Sequence, residues 1–412
     1  MLTISVYYLL RYSVNSFAGR DWRFTVFDFD QPADRQGTGN MKGAFRPRTA
    51  CGKTPLILAG AEMDFPTAPV IREALSAFSQ KGIYGFTLPD SAYLNAVCFW
   101  LRSYRGWAVS PDMIVPTLGT VFALNTAIRA FTAPGDGVII LVPSYYRHDR
   151  SVVRNERCVT TCPLREREGQ YSLDADALAV QMEKKENKLL VLCHPHNPTG
   201  HVFTEKELQT LATLARETDT IVFSDEIFAD ITASAHPAIP FASVLPEQTV
   251  ACVSFGKTFN FTGVNHANAV IPCPSLRNRF IDQRNADHFG SIDPFFYQAI
   301  LAGCTEAGHD WVLAVRDRVA ANARRLEQLL KKNCPGVRMS PWEGGYIAWL
   351  DLSAAGLTAE ETADRLEKEQ ATLVDPGSEY GPGGERCIRL NLATQERNID
   401  EFVLRLSEVL RS

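Results

Sequence analysis

From about residue 113 onward, short β-branched or aliphatic runs alternate with longer amphipathic stretches, the pattern of an α/β domain with a largely parallel sheet. Strands are predicted over residues 113–117, 137–142, 188–193, 220–224, 249–254 and 267–271. Between them, Val121, Leu124, Ile128 and Phe131 share one helical face, and a helix over 205–216 opens behind Thr204 as its N-cap. Helices should therefore cover the sheet. A long helix rich in Arg and Leu is predicted near 311–332, then a strand over 345–351, an acidic helix near 358–369 and a last helix from Asn398. The pattern divides the chain into an N-terminal extension and arm (1–44), a large α/β domain (45–300) and a smaller α+β domain (301–412). No internal repeat or low-complexity tract interrupts it.

Composition narrows the class. A chain of 412 residues that is 45% hydrophobic can bury a sizeable core. The formal net charge is -5 and the charges are scattered, which recommends neither nucleic acid nor an anionic membrane as a partner and leaves a small soluble substrate. Ten cysteines without CxxC pairing read as reduced thiols in a cytoplasmic protein. The opening twenty residues are apolar, then basic, with no acid before Asp21; they resemble a targeting peptide but lack a basic start, and their apolar run is too short to span a bilayer. An extension or a packed arm is expected there.

Three segments carry chemistry. Lys257 lies in a Ser254-Phe255-Gly256-Lys257 turn just beyond an apolar strand. Upstream, a buried-type strand runs into the His196-Asn197-Pro198-Thr199-Gly200 turn, and another ends on Asp225. Residues just past the carboxyl ends of parallel strands gather in one crevice, so Asn197, Asp225 and Lys257 can converge. Each has an ordinary alternative: a solvated lysine, a helix-capping aspartate, an asparagine that only shapes its turn. His194, His196 and His201 with Cys193 could suggest a metal, but no second ligand cluster accompanies them, so none is expected.

HNPTG, SDE and the SxxK turn, in this order and spacing, resemble the fold-type I pyridoxal-phosphate (PLP) enzymes of the class I/II aminotransferase superfamily, over nearly all of residues 45–410. Within it, FDFDQPADRQGTGNMKG, AEMDFPTAP, YGFTLPDSAY and SFGKTFNFTG are similar to segments of the C–S β-lyases, the cystathionine β-lyase branch related to the maltose-regulon modulator. The resemblance implies the PLP-transferase fold with a mainly parallel sheet of seven-stranded type, PLP as cofactor, an amino-acid substrate and a homodimer. It implies that Lys257 binds the cofactor as a Schiff base and acts catalytically, Asp225 keeps the pyridine nitrogen protonated, and Asn197 donates to the ring oxygen. The start of the helix at Gly119, Thr120 and Val121 offers free N–H groups to the phosphate, with Ser254 adding a hydroxyl. Tyr145 would stack on the ring. Arg389, flanked by Ile388 and Leu390, would grip the substrate α-carboxylate, and Gly60 would let the backbone approach it.

The chain departs from that pattern at three places. Phe228 stands where relatives carry a Tyr or His bonded to the ring oxygen, and Phe86 where a tyrosine normally reaches the neighbouring subunit's cofactor. Asn265 replaces a phosphate-binding arginine of many aminotransferases, which fits the lyases, whereas PGSEYG around Ser378 looks more like the aminotransferases. Three readings follow: a C–S β-lyase releasing thiol, pyruvate and ammonia, an aminotransferase, and a PLP-binding regulatory protein whose catalysis has decayed.

Overall fold

A computed structural model describes residues 27–44 and 51–411. The opening segment considered for targeting lies outside the described residues. The large sheet has seven strands: β1 (Ile114–Thr117), β2 (Gly137–Val142), β3 (Cys158–Pro163), β4 (Asn187–Cys193), β5 (Ile221–Asp225), β6 (Thr249–Val253) and β7 (Ala267–Val270). Their spatial order is β1-β7-β6-β5-β4-β2-β3, and β7 alone runs antiparallel to its neighbours. The expected mixed α/β architecture, with a mainly parallel sheet between helices, is present.

Alternation along the strands builds the two faces. Val138, Ile140, Leu189 and Val191 pack on one side with Leu124, Ile128 and Phe131 of the helix Thr120–Phe131 and with Leu276 and Phe280. Ile139, Leu141, Leu190 and Leu192 face the other side, against Leu208, Leu211 and Ala215 of the helix Glu205–Thr218. That helix starts behind Thr204 as expected, and a reciprocal capping box with Glu207 fixes it there. Val121, the first member of the expected apolar face, instead lines a cavity. The edge strand β3 is absent from the sequence expectation because CVTTCP has no continuous apolar run, and Cys158, Thr161 and Pro163 are exposed.

The C-terminal part is an antiparallel sheet of β8 (Arg338–Met339), β9 (Ile347–Asp351), β10 (Asp375–Pro376) and β11 (Cys387–Asn391), in the order β8-β9-β11-β10. Helices Glu306–Asn333, Ala359–Gln370 and Glu396–Arg411 accompany it. The first begins five residues ahead of Trp311, the expected start, because the Thr305 hydroxyl accepts from Gly308 N–H and caps it there. The strand expected from Gly345 starts at Ile347, since Gly345 has φ 72°. Leu56–Ile57 pairs in parallel with Thr372–Leu373, which carries the chain around Gly60 against β10. Among the described residues no helix is long and apolar enough to cross a membrane.

Candidate active site

The carboxyl ends of β4, β5 and β6 deliver Asn197, Asp225 and Lys257 to the walls of one cavity of about 520 Å³. Gly60, Gly119, Thr120, Val121, Tyr145, Ser254 and Arg389 line it too, so every expected site residue faces the same space.

Asp225 is the last residue of β5 and is buried. Its Oδ1 accepts from Ile227 N–H at 3.3 Å, and its Oδ2 lies 3.2 Å from His148 Nε2, whose Nδ1 is 3.0 Å from Ser144 Oγ. The next residue anchors the turn: Glu226 pairs with Arg105 at 2.5 Å and accepts from Ser224 Oγ and Phe241 N–H, with both charged side chains withdrawn from solvent. A carboxylate so braced cannot swing, which suits a group that must keep one orientation. His148 was not singled out from the sequence; the available signal was its place three residues past Tyr145, on the face of helix Tyr146–Arg154 that turns inward.

Lys257 sits in the short helix Phe255–Thr258, capped by Ser254, and its ammonium donates to the carbonyl of Ala61, which also accepts from Tyr346 Oη at 3.1 Å. Burial, with the positive charge of Arg389 adding to it, lowers the Lys257 pKa to about 8, although Glu62 and Asp225 pull the other way. Although deeply enclosed, the side chain keeps some exposure through the cavity it faces. An amine with this pKa holds a useful neutral fraction near pH 7 and can attack a carbonyl or take a proton. The loop that presents Ala61 is stitched to the lysine turn by Asn260, which donates to Met63 O and Phe65 O and accepts from Met63 N–H. From the other side Arg35, Asn40 and Lys42 bind Glu62 and Asp64. These bonds tie the segments around residues 35–42, 60–65 and 254–260 into one unit.

Arg389 is buried on β11, and its pKa is held above the usual guanidinium value: burial opposes this, and the adjacent Asp375 carboxylate outweighs it. Nη1 donates to Asn197 Oδ1 at 2.9 Å, and the guanidinium plane lies over Tyr380, 4.9 Å from the ring centroid. Nε and Nη2 both donate to Asp375 Oδ2. Arg389 therefore makes an ion pair with a carboxylate of this chain, inside the cavity. Asp375 was not anticipated, since one acidic residue before a Pro-Gly turn carries no distinctive pattern.

At the far end, Gly119 takes φ 93° and caps the helix Thr120–Phe131, leaving the first-turn amides of Thr120 and Val121 without intrahelical acceptors. A cradle of that kind holds an anion such as a phosphate. Ser254 borders it, but its hydroxyl donates to His266 O at 3.0 Å and accepts from Gly256 N–H. Tyr145 presents its ring to the cavity, packed edge-on against Tyr146 and His148, and burial raises its phenol to about 12. Phe228 packs edge-on against Tyr346, its ring centroid 5.9 Å from Lys257 Nζ. Phe86 is 98% exposed and outside this cavity.

The histidines of the HPHNPTGH stretch have protein partners. His194 contacts Ile239 O, His196 contacts Thr199 Oγ1, and His201 lies between Glu207 and Glu343. Among the described residues no group of three or more His, Cys, Asp or Glu side chains is placed to hold a metal ion.

The family model for aminotransferase class I and II matches residues 54–406. Cystathionine β-lyase PatB of Bacillus subtilis is 32% identical over 386 residues, spanning 93% of this chain and all of that enzyme. The crystal structure of cystalysin from Treponema denticola, which contains a pyridoxal 5'-phosphate cofactor, superposes with TM-score 0.88 at 29% identity over 94% of this chain and 99% of that one. A PLP-bound C–S lyase from Staphylococcus hominis gives TM-score 0.87 at 27% identity over 94% and 99% of the two chains. This chain is accordingly a member of the class I and II aminotransferase family.

Proposed function

We propose that the protein is a PLP-dependent C–S β-lyase that converts a cysteine conjugate or cystathionine-like amino acid to thiol, pyruvate and ammonia. The observation that carries the reading is the meeting of Lys257, Asp225 and Arg389 in one cavity, an amine, a braced carboxylate and a guanidinium. Its relatives, a cystathionine β-lyase and a PLP-bound C–S lyase among them, support the reaction class.

When bound, PLP supplies an aldehyde for an amine and a pyridine ring that draws electrons from the substrate Cα. The residues present fit it. Lys257 provides the amine, and Asp225, pinned by His148, holds a proton at the ring nitrogen. The amides of Thr120 and Val121 would receive the phosphate, with Ser254 at the border, and Tyr145 would pack against the ring. Asn197 keeps its amide N–H groups for the ring oxygen, since Arg389 uses only its carbonyl. Arg389, with Gly60 N–H, anchors the substrate α-carboxylate and so fixes how the Cα–H bond points. Once the substrate's own amine takes its place, Lys257 Nζ would be free to accept that proton, the electron pair left behind would expel the β-thiolate, and the three-carbon remainder would take up water to give pyruvate and ammonia.

A cytoplasmic homodimer accompanies this reading. The ten cysteines are all unpaired thiols, as a reducing compartment keeps them. Ile83, Tyr84, Phe86 and Leu88 are 50–98% exposed in one segment, an apolar surface of the kind that a second copy covers.

Incubating the PLP-loaded enzyme with S-aryl cysteine, with thiol, pyruvate and ammonia measured together, tests the reaction. All three should appear in equal amounts and vanish in Lys257→Ala. A keto acid that retains the whole side chain, with no thiol, would assign the protein to aminotransfer, and no product at all would leave a binding protein.

A further inference from the structure

The two donors assigned to the substrate carboxylate are already engaged by a carboxylate of this chain. Asp375 Oδ2 accepts from Arg389 Nε at 3.0 Å and from Nη2 at 2.6 Å. Gly60 N–H reaches both oxygens, at 3.0 and 3.2 Å. The contact is written into the backbone. Asp375 on β10 stands directly opposite Arg389 on β11, so the two side chains leave the same face of the sheet as a cross-strand pair. Gly60 is delivered by the parallel pairing of Leu56–Ile57 with Thr372–Leu373 and turns toward Asp375 at φ 75°.

A single N–H cannot serve two carboxylates well, and two carboxylates on one guanidinium repel each other. Glu379, four residues on and lining the same cavity, adds a further carboxylate. We propose that Asp375 is an internal competitor for the α-carboxylate site, a specificity-determining residue that a substrate must displace from Gly60 and from the Nε edge of Arg389. The inference rests on Arg389 being the carboxylate anchor. Its consequence is selectivity. An amino acid with little beyond its amine and carboxylate gains too little to evict Asp375, whereas one with a long side chain draws the difference from contacts at the cavity mouth, where Met41, Leu118, Tyr146 and Arg147 stand. Small abundant amino acids are thereby kept out, and conjugates are admitted.

The rival role, a fixed partner that orients Arg389, has the opposite sign. The test uses the PLP-loaded enzyme and 2-methylalanine, which has the amine and carboxylate but no Cα hydrogen to lose. Its dissociation constant is measured by calorimetry beside that of isopropylamine, the same amine without the carboxylate. In Asp375→Asn and Asp375→Ala, 2-methylalanine should bind about tenfold tighter, the size of one competing charge-assisted contact, with isopropylamine unmoved. Unchanged or weaker binding of 2-methylalanine overturns the proposal and leaves Asp375 a positioning residue. In the Arg389→Ala, Asp375→Ala double variant the gain should disappear. If it persists, Arg389 is not the anchor and the inference falls with it, whatever the thiol assay shows.

Discussion

His201 offers a quantitative test of how the two parts of the molecule are joined. It follows the HNPTG turn, and its ring lies between Glu343 Oε2, 2.8 Å from Nδ1 in the loop before β9, and Glu207 Oε1, 3.2 Å from Nε2 on the helix Glu205–Thr218. Burial alone would lower the imidazole pKa, but the two carboxylates outweigh it and raise it to about 9, while Glu207 falls to about 2 and Glu343 is also lowered. The carboxylate shifts report the same interaction as the histidine shift, so only one is converted. A rise from 6.5 to about 9, at about 1.4 kcal/mol per unit, corresponds to about 3 kcal/mol of folding stability. Because the folded-state pKa is the higher one, this contribution is complete below about pH 6.5 and is lost as pH rises through about 9. Urea unfolding of the cofactor-free protein, compared with His201→Gln from pH 6 to about 9.5, isolates it, since other titrating groups cancel in the difference. The variant should be about 4 kcal/mol less stable at the acid end, the linked contribution of about 3 kcal/mol plus about 1 kcal/mol for the neutral hydrogen bonds, shrinking to about 1 kcal/mol at the alkaline end. A difference that stays flat across this range, or grows with pH, would refute the reasoning.

Two further outcomes follow from the site. Lys257 attacks as the free amine, so the rate at which the cofactor-free protein captures PLP should rise with pH up to about 8 and level above it; stopped-flow absorbance gives the profile, and a midpoint near the ordinary lysine value would show that the cavity does not lower this pKa. His148→Phe removes the side-chain partner of Asp225 Oδ2, at a cost of about 1.5–3 kcal/mol for a charge-assisted hydrogen bond. PLP should then bind about ten- to a hundredfold more weakly in a fluorescence titration, and an unchanged affinity would mean that His148 does not brace the carboxylate.

Much of the fold was legible because its signals are local. Continuous apolar runs gave β2, β4 and β6 to within a residue at either end, and Thr204 with Glu207 marks a helix start through hydrogen bonds made within four residues. The same locality hid β3, whose polar edge has no apolar rhythm, and the start of the helix Glu306–Asn333, which a threonine cap fixes ahead of its apolar face. The site divides along the same line. Lys257, Asp225 and Asn197 announced themselves because each follows a strand that the sequence displays, and parallel strands place their carboxyl ends together.

What the chain by itself determined is six of the large sheet's seven strands, helices that cover them and the reactive groups at their ends, since hydrophobic period and capping act between near neighbours. Only the tertiary structure decided that His148 braces Asp225, that Ala61 O holds Lys257, that His201 bridges two carboxylates from different elements, and that Asp375 meets Arg389 and Gly60. Those contacts join residues from 6 to 315 positions apart in the chain. Strand pairing, the capped ends of helices and the direction of each side chain set them, and none of these leaves a period along the sequence.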